Sequence, residues 1–524
     1  MDKLPFVYKF RNNGRHYIYD VNTNNILKTD ECLYDIIDEF NYKNHEEVVN
    51  KFRNKYPLNK IKKCFDEINS KRKSSGMFSN ERPKKMFFPF NKKEIKLILD
   101  NLMSHVILNV TEDCNLRCEY CKYSGLYKYA RSHDKKYMKE EIAYKAIEYT
   151  LNRSNYIIKN TDENCYVGFY GGEPLTNFKL IKKSVDFTKK NFAQIINKVK
   201  FSMTTNLTVL TDEILDFLVE NDISILVSLD GPLEIHDRYR KYKSGKGTFE
   251  KISGNLKKIR ERSYDYYNRK VGFSVVLAPP FNIPVILNFF ENNVVRTDRP
   301  FFLSYVDPQD TTFFDRFDNY KEINKELLNQ LNILREEYKK LMINMDYDNF
   351  RASFLETIFS SNLKDIFRRY LIKCPEKIFP NGICLPGFQK VLVGPDGNFF
   401  VCEKIGYSFP IGDVFNGFNI DAIWNLIQKY IKLSEPMCLD CWAVRLCKSC
   451  YLRAQRGDQL DIERKMENCS VIKSSFDRGL KLFCEIMEEN PNSLSFYKDI
   501  KIEGGLGPAF QFINDYYNGR NKRS

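Results

Sequence analysis

The sequence predicts an α/β fold built on a parallel sheet, followed by a region rich in cysteine. Between about residues 91 and 300, short apolar segments alternate with longer amphipathic segments, which is the pattern of consecutive βα units. Motifs containing cysteine, glycine and carboxylate directly follow the strand-like segments. Parallel α/β folds gather their chemistry at the carboxyl ends of strands, so these motifs are expected to meet at one edge of the sheet.

Residues 1–85 predict a small N-terminal module and a linker. Alternating side chains on both sides of Asn12-Asn13-Gly14 are typical of a β-hairpin, and a short third strand follows. Asp30 is a candidate helix cap, and apolar spacing predicts about three helices after it. Three strands followed by three helices indicate a winged-helix-like module. The expected elements are strands at 6–10, 15–19 and 26–27, helices at 30–40, 45–56 and 58–70, and a basic linker at 72–85.

The α/β region, residues 91–310, is expected to contain six strands. They are predicted at 106–110, 166–170, 200–204, 223–228, 272–277 and 301–305, with helices that include 212–220 and 249–262. Residues 311–370 predict a helical bridge that contains a long charged helix at 319–344. Residues 371–485 form the cysteine-rich region, and 486–524 are a C-terminal extension.

Composition limits the classes of function. No stretch of about 18 uncharged apolar residues occurs, so we expect no membrane span. Fifteen cysteines without a secretory signal at the start indicate metal ligation in a reducing compartment, and therefore a cytoplasmic protein. The net charge of +14 is spread along the chain, which favours a solvated surface over a nucleic-acid face.

Cys114, Cys118 and Cys121 lie in a C-x3-C-x2-C spacing directly after the first strand of the α/β region. Three thiolates this close along a loop can hold three irons of a cubane [4Fe–4S] cluster, which leaves one iron open to a small molecule. A zinc site is the alternative, but zinc prefers four closed ligands and His133 is the only nearby candidate for the fourth.

The spacing, with Tyr120 before the third cysteine, resembles the signature of radical S-adenosylmethionine (SAM) enzymes. The resemblance implies an open, partial (β/α)6 barrel and a cluster whose open iron is chelated by the amino and carboxyl groups of SAM. It also implies that one electron from the cluster cleaves SAM to a 5′-deoxyadenosyl radical, which abstracts hydrogen from a carbon. Gly171, Gly172 and Glu173 match the family's site for the SAM amino group.

Three further positions match the SAM site of this family. Asn206 ends the third strand, Ser228 ends the fourth near the expected ribose and carboxylate, and Arg240 is our candidate for pairing the SAM carboxylate bidentately. His236 and Asp237 belong to a pattern of the same family, but a local helix cap and packing pair is the favoured interpretation of both. Asp230 is equally explained as a turn residue.

The cysteines between residues 374 and 469 are called the second cysteine field. Their pattern resembles a SPASM domain, which carries two auxiliary [4Fe–4S] clusters. The spacing departs from the family pattern at Cys450, which follows Cys447 after two residues, where three are usual. Cys374 is either a further ligand of the first auxiliary cluster or lies outside it, leaving that cluster open to a substrate thiol. By the family's interleaved pattern the first cluster takes Cys384, Cys402 and Cys450, and the second takes Cys438, Cys441, Cys447 and Cys469. A double zinc module is the alternative. Cys32, Cys64, Cys165 and Cys484 are expected to be core residues.

The N-terminal module resembles the RiPP recognition element, which binds the leader of a ribosomally made precursor peptide by adding it as a strand to a sheet edge. Nucleic-acid binding is the alternative for such a module. The whole chain resembles maturases that install thioether crosslinks in Cys-rich peptides, the sactipeptide and ranthipeptide synthases. Such an enzyme needs a one-electron donor such as flavodoxin or ferredoxin.

Two other functions remain open. Anaerobic sulfatase maturases oxidise Ser or Cys to formylglycine and carry an aspartate as base where this chain has Glu403. They tend to lack the N-terminal module. A non-enzymatic iron–sulfur electron carrier is the other class of function, but the Gly-Gly-Glu motif would have no function in such a protein.

Overall fold

The computed structural model describes residues 4–40, 45–292, 297, 301–499 and 505–521. The chain begins with a three-stranded antiparallel sheet in the order β1-β2-β3. Asn13 (φ 49°) and Gly14 (φ 73°) form the turn between β1 and β2, and this left-handed Asn-Gly pair matches the twist of a two-residue hairpin. The strands are β1 (Val7–Asn12), β2 (Arg15–Asp20) and β3 (Asn25–Thr29).

Three helices follow, as predicted: α1 (Glu31–Ile36), α2 (His45–Phe52) and α3 (Leu58–Ser75). Asp30 caps α1, since its carboxylate accepts a hydrogen bond from the N–H of Leu33 at 2.9 Å. The predicted linker at 72–85 is wrong in its first part, because α3 continues to Ser75 and ends at Gly76 in the left-handed conformation. Phe78 then packs in the core of this unit, so the segment is held in place.

The α/β region has the six predicted strands, each parallel to its neighbour in the order β10-β9-β8-β7-β6-β5. Consecutive strands are adjacent in space, and the helices connect them. All six carboxyl ends therefore lie on one side of the sheet, which places the predicted motifs together. The strands are β5 (His105–Thr111), β6 (Cys165–Gly171), β7 (Val199–Thr205), β8 (Ser224–Ser228), β9 (Val271–Leu277) and β10 (Phe301–Tyr305).

The helices of this region form the outer layer of the fold. A short strand, β4 (Lys85–Met86), and α4 (Lys92–Leu99) precede β5. The helices between β5 and β10 are α5 (Glu140–Leu151), α6 (Asn155–Asn160), α7 (Phe178–Asn191), α8 (Asp212–Glu220), α9 (Leu233–Tyr239), α10 (Phe249–Arg262), α11 (Tyr264–Lys270) and α12 (Ile283–Asn292).

The cysteine-rich region continues the same sheet. Val391–Val393 pairs in parallel with β5, and three antiparallel strands follow, so the sheet has ten strands in all. The elements after β10 are α13 (Tyr320–Ile343), α14 (Phe350–Phe367), β11 (Lys377–Ile378), β12 (Val391–Val393), β13 (Asn398–Phe400), β14 (Pro410–Asp413), β15 (Gly417–Phe418), α15 (Ile420–Cys438), β16 (Gln455–Arg456), β17 (Gln459–Leu460), α16 (Ile462–Glu489) and α17 (Gly507–Asn521).

The N-terminal sheet packs directly on the cysteine-rich region. Tyr8 stacks on Trp442 with ring centroids 3.8 Å apart, and its hydroxyl donates to Asp477 on α16 at 3.0 Å. The side chains of Phe10 and Tyr17 join Phe476 in one buried apolar cluster. Because Trp442 lies in the loop between Cys441 and Cys447, the N-terminal unit and the second cysteine field share a core.

No helix in the described part of the chain has the length and apolar character that crossing a membrane requires.

Candidate active site at the carboxyl end of the sheet

The first cysteine loop follows β5 and is largely buried. Cys114 and Cys118 lie in an apolar cluster with Leu116 and Tyr120, and Cys121 packs against it. Burial raises the pKa of both Cys114 and Cys118 to about 12. These thiols therefore ionise only next to a positively charged partner, which is the property expected of metal ligands.

The two glycines of the Gly-Gly-Glu motif let β6 run against the backbone of this cysteine loop. The N–H of Gly172 donates to the carbonyl of Thr111 at 2.8 Å. A Cβ atom on Gly172 would lie 1.9 Å from the carbonyl oxygen of Asp113, and one on Gly171 would lie 2.1 Å from that of Thr111. Gly171 also has φ +147°, which side-chain-bearing residues rarely adopt. Both glycines thus hold the loop in place.

Glu173 is buried at the same edge of the sheet. One carboxylate oxygen accepts hydrogen bonds from Thr205 Oγ1 (2.6 Å) and the N–H of Leu175 (3.1 Å), and the other accepts from the N–H of Asn206 (2.6 Å). Burial raises the pKa of Glu173 to about 7, although these hydrogen bonds lower it. A cationic ammonium group beside this carboxylate would favour its ionised form.

Asp230, for which sequence analysis left a turn and a functional role equally open, is the centre of a buried network. Its carboxylate accepts hydrogen bonds from the hydroxyl of Tyr120, from Nε of Arg240 at 3.0 Å and from the N–H of Val276 at 3.0 Å. Nη1 of Arg240 lies 3.9 Å from Sγ of Cys118. Asp230 therefore fixes the guanidinium beside the cysteine loop. Its place two residues after the end of β8 indicated the edge of the sheet where it lies, but not its burial.

His236 and Asp237 form the packing pair and helix cap that sequence analysis offered as one interpretation. Nδ1 of His236 accepts from the N–H of Asp230 at 3.2 Å, and burial lowers the pKa of His236 to about 4, so the ring is neutral. Oδ1 of Asp237 accepts from the N–H groups of Thr248 (2.7 Å) and Phe249 (2.9 Å) at the start of α10. Neither side chain is free for chemistry.

Asn206 and Ser228 lie at the ends of β7 and β8. Nδ2 of Asn206 donates to Oδ1 of Asn115 at 3.0 Å and lies 3.8 Å from Sγ of Cys114. Ser228 is half-buried and ends the strand beside Ser274 of β9. The structure thus brings Asn206 to the cysteine loop and places Ser228 on the same edge of the sheet.

The donor set of the cysteine loop fits an iron–sulfur cluster. Within the described ranges, no three His, Cys, Asp or Glu side chains are arranged around the position of a single metal ion. A cubane takes each thiolate on a different iron and does not need that arrangement. His133 lies beside the ring of Tyr123, with centroids 6.2 Å apart.

The four cysteines predicted for the second auxiliary cluster line one small cavity between α15 and α16. They are Cys438, Cys441, Cys447 and Cys469. A cavity lined by four sulfur donors fits the closed coordination that sequence analysis expects there.

The other predicted ligands divide into two places. The Cys384 residue is partly exposed, but burial raises the pKa of its thiol to about 12, and neighbouring Cys402 and Cys450 raise it further. The three thiols are therefore close enough to affect one another. Cys374 lies against the N-terminal unit, where its N–H donates to the carbonyl of Asn22 at 2.6 Å. Burial raises the pKa of the Cys374 thiol, the charge of Arg445 lowers it, and that of Asp20 raises it.

A cavity of about 270 Å3 lies between the loop of Cys114, Cys118 and Cys121, the segment that follows the carboxyl end of β10, and the cysteine-rich region. Its lining includes Tyr123, Tyr407 and Glu403. Oε1 of Glu403 accepts from Nζ of Lys390 at 2.9 Å, while Oε2 is buried and has no hydrogen-bond partner among the described residues. Burial raises the pKa of Glu403, but Lys390 outweighs this effect and holds it below its usual value. Glu403 is thus an ionised acceptor beside Cys402.

The fold and this site define a radical SAM enzyme, which uses a [4Fe–4S] cluster and SAM. The sequence model of the Radical SAM superfamily matches residues 108–282, which span β5 to β9 and every predicted SAM contact. The chain belongs to this superfamily.

Its relatives include uncharacterized and peptide-modifying proteins. An uncharacterized protein of Methanocaldococcus jannaschii is 33% identical over 230 residues, which are 44% of this chain and 71% of that protein. The cysteine-type anaerobic sulfatase-maturating enzyme of Clostridium novyi is 25% identical over 393 residues, 72% of this chain and 95% of the relative. The solved structure of native anSMEcpe with bound AdoMet aligns with a TM-score of 0.49 at 20% identity, over 76% of this chain and 100% of that one.

Proposed function

We propose that this radical SAM enzyme installs thioether crosslinks in a ribosomally made, Cys-rich precursor peptide. The observation that carries the proposal is the N-terminal unit of three strands and three helices, packed on the second cysteine field. The Clostridium novyi relative is matched over 95% of its length but only 72% of this chain, so more than a quarter of this chain lies outside that alignment. An additional unit with an open sheet edge would let the enzyme bind a leader peptide apart from the site of chemistry.

The N-terminal sheet offers the backbone edge that a leader peptide requires. Both β1 and β3 have a paired neighbour on one side only. An extended leader can add to such an edge through main-chain hydrogen bonds, as in other strand-addition complexes. One face of the sheet is already covered by α16 and the loop of Trp442. A peptide added to the edge of this sheet would therefore bind close to the second cysteine field.

The residues of the site divide the proposed chemistry between them. When bound, SAM and the iron–sulfur clusters supply a radical that removes hydrogen from a peptide carbon and accept the electron released as sulfur bonds to that carbon. Glu173 and Arg240 hold the amino and carboxyl groups of SAM. The aromatic cavity beside Cys121 receives the peptide, and Oε2 of Glu403 takes the proton of the reacting cysteine thiol. A flavodoxin or ferredoxin is the proposed electron donor.

Glu403→Gln should lower crosslink formation at least 100-fold, in keeping with the usual size of general base catalysis. The amide keeps the shape of the side chain but cannot take a proton. SAM cleavage should persist, because Glu403 lies outside the network of Asp230 and Arg240. Peptide mass spectrometry and the yield of 5′-deoxyadenosine measure the two quantities.

The matched control is Glu376→Gln, which removes an exposed carboxylate paired with Lys84 at 2.7 Å. It should leave both yields unchanged. Full crosslinking by the Glu403→Gln enzyme would show that the proton goes elsewhere.

The proposal expects a short Cys-rich peptide to be encoded beside this gene. The function is tested by incubating that peptide with the reconstituted enzyme, SAM and a reductant. The peptide should lose two hydrogen atoms per crosslink, together with one alkylatable thiol. The Cys114→Ala enzyme should give no product, because the open-iron cluster is lost. An unmodified peptide with the intact enzyme, under conditions where SAM is cleaved, would refute the proposal.

Sulfatase-type oxidation is the second candidate function, favoured by the Clostridium novyi relative and by the carboxylate of Glu403 directly after Cys402. The same experiment separates the two candidates. Formylglycine formation from cysteine removes the sulfur atom and creates an aldehyde, whereas a thioether keeps the sulfur.

A further inference from the structure

The cavity between α15 and α16 contains a buried lysine among its four cysteines. Lys465 is 2% exposed and lies one helical turn before Cys469 on α16. Its Nζ donates to the hydroxyl of Tyr430 at 2.9 Å and lies 4.5 Å from the centre of that ring. The hydroxyl of Tyr430 in turn donates to the carbonyl of Ser449 at 2.8 Å, which fixes its lone pairs toward the lysine.

Among the residues that the structure describes, no carboxylate balances the charge of Lys465. Lys465 lines the same cavity as Cys438, Cys441, Cys447 and Cys469. Their thiolates are the anionic groups that it would face when they bind iron. A buried ammonium without a counter-ion is costly, so a fold that keeps one there has a negative group to place beside it.

The charge of an iron–sulfur cluster explains this arrangement. Four thiolates and the cubane core together carry net negative charge, and reduction adds one more. A fixed positive charge in a site of low dielectric constant stabilises the reduced form more than the oxidised form, because its attraction grows with the charge that it faces. The reduction potential of the cluster therefore rises.

We propose that Lys465 is the internal counter-charge of the second auxiliary cluster and sets its potential high enough to accept the electron released in crosslinking. The inference rests on the proposed assignment of Cys438, Cys441, Cys447 and Cys469 to that cluster. Lys465 acts through its charge on the reduction potential of the cluster, and the proposal gives it no contact with the peptide. When bound, the cluster would accept the one electron released as the carbon–sulfur bond forms, and an oxidised flavodoxin or ferredoxin would take that electron from it.

The test compares Lys465→Met and Lys465→Arg in the full-length protein. Both are made in a Cys114→Ala background, which leaves the auxiliary clusters as the electron paramagnetic resonance signal. At a fixed applied potential, Lys465→Met should lower the ratio of reduced to oxidised second cluster at least tenfold, which corresponds to about 59 mV for one electron. Lys465→Arg keeps the charge and should stay within twofold of the parent.

The matched control is Lys481→Met on the same helix, about 24 Å further along its axis. Lys481 pairs with Asp477 at 2.7 Å, away from the cavity, and its loss should leave the ratio unchanged. An unchanged ratio in Lys465→Met, with full iron and sulfide content, would overturn the proposal.

The iron content of each variant distinguishes a changed reduction potential from loss of the cluster. If Lys465→Met loses the cluster, retention of cluster and potential by Lys465→Arg supports the role of the charge, and loss from both variants overturns it. Cys438→Ala tests the underlying assignment separately. Full iron content in that variant would refute the assignment of the four cysteines, independently of any result at Lys465.

Discussion

Asp230→Ala is expected to abolish SAM cleavage and to destabilise the protein by about 3–5 kcal/mol. Asp230 and Arg240 form an ion pair at 3.0 Å with side chains only 3% and 9% exposed. Removing the carboxylate leaves the guanidinium buried without a partner and releases the hydroxyl of Tyr120. Arg240 then no longer lies fixed beside Cys118. The yield of 5′-deoxyadenosine and a urea denaturation curve measure the two effects.

The control for this variant is Asp237→Asn, seven residues further along. Asparagine still accepts hydrogen bonds from Thr248 and Phe249, so the start of α10 stays capped. Stability and SAM cleavage should both stay close to those of the parent. Normal 5′-deoxyadenosine yield from Asp230→Ala would mean that the position of Arg240 does not depend on this carboxylate.

Gly172→Ala is expected to prevent assembly of the first cluster. The new Cβ atom would lie 1.9 Å from the carbonyl oxygen of Asp113 and 3.0 Å from the backbone nitrogen of Cys114. Both neighbours are backbone atoms of the cysteine loop, so the loop itself must move. The purified, reconstituted protein should lose the iron of one cluster and all detectable SAM cleavage.

Gly254→Ala is the matched control, because a Cβ atom there meets no other atom within 4 Å. Gly254 lies inside α10, where alanine is the better helix former by about 0.5–1 kcal/mol. This variant should keep its iron and gain slightly in stability. Full iron content in Gly172→Ala would show that the loop tolerates displacement.

The α/β region was predictable from sequence because its signals are local. Strand β10 and helices α8 and α10 lie at the predicted residues, since apolar runs and helical spacing decide them. The pairing of β12 with β5 was not predictable, because it joins segments more than 280 residues apart. The length of α16 was also missed. Sequence analysis assigned no helix to this segment, and packing against the N-terminal sheet, which lies far away in the chain, stabilises it.

The site was predicted in its motifs and missed in its supporting residues. The cysteine spacing and the Gly-Gly-Glu motif can each be recognised within a short segment of the chain. Asp230 and Lys465 depend on partners from other elements, such as Tyr120 for the first and Tyr430 for the second. A single carboxylate in a turn and a single lysine in a charged helix give no sequence signal of burial.

The tandem mass spectrum of the peptide product tests the central proposal most directly. The proposed enzyme gives a product that keeps every sulfur atom, lacks one free thiol per crosslink and yields fragments that link one cysteine to one acceptor residue. A product that has lost a cysteine sulfur and reacts as an aldehyde would contradict the proposal and assign the enzyme to sulfatase-type oxidation.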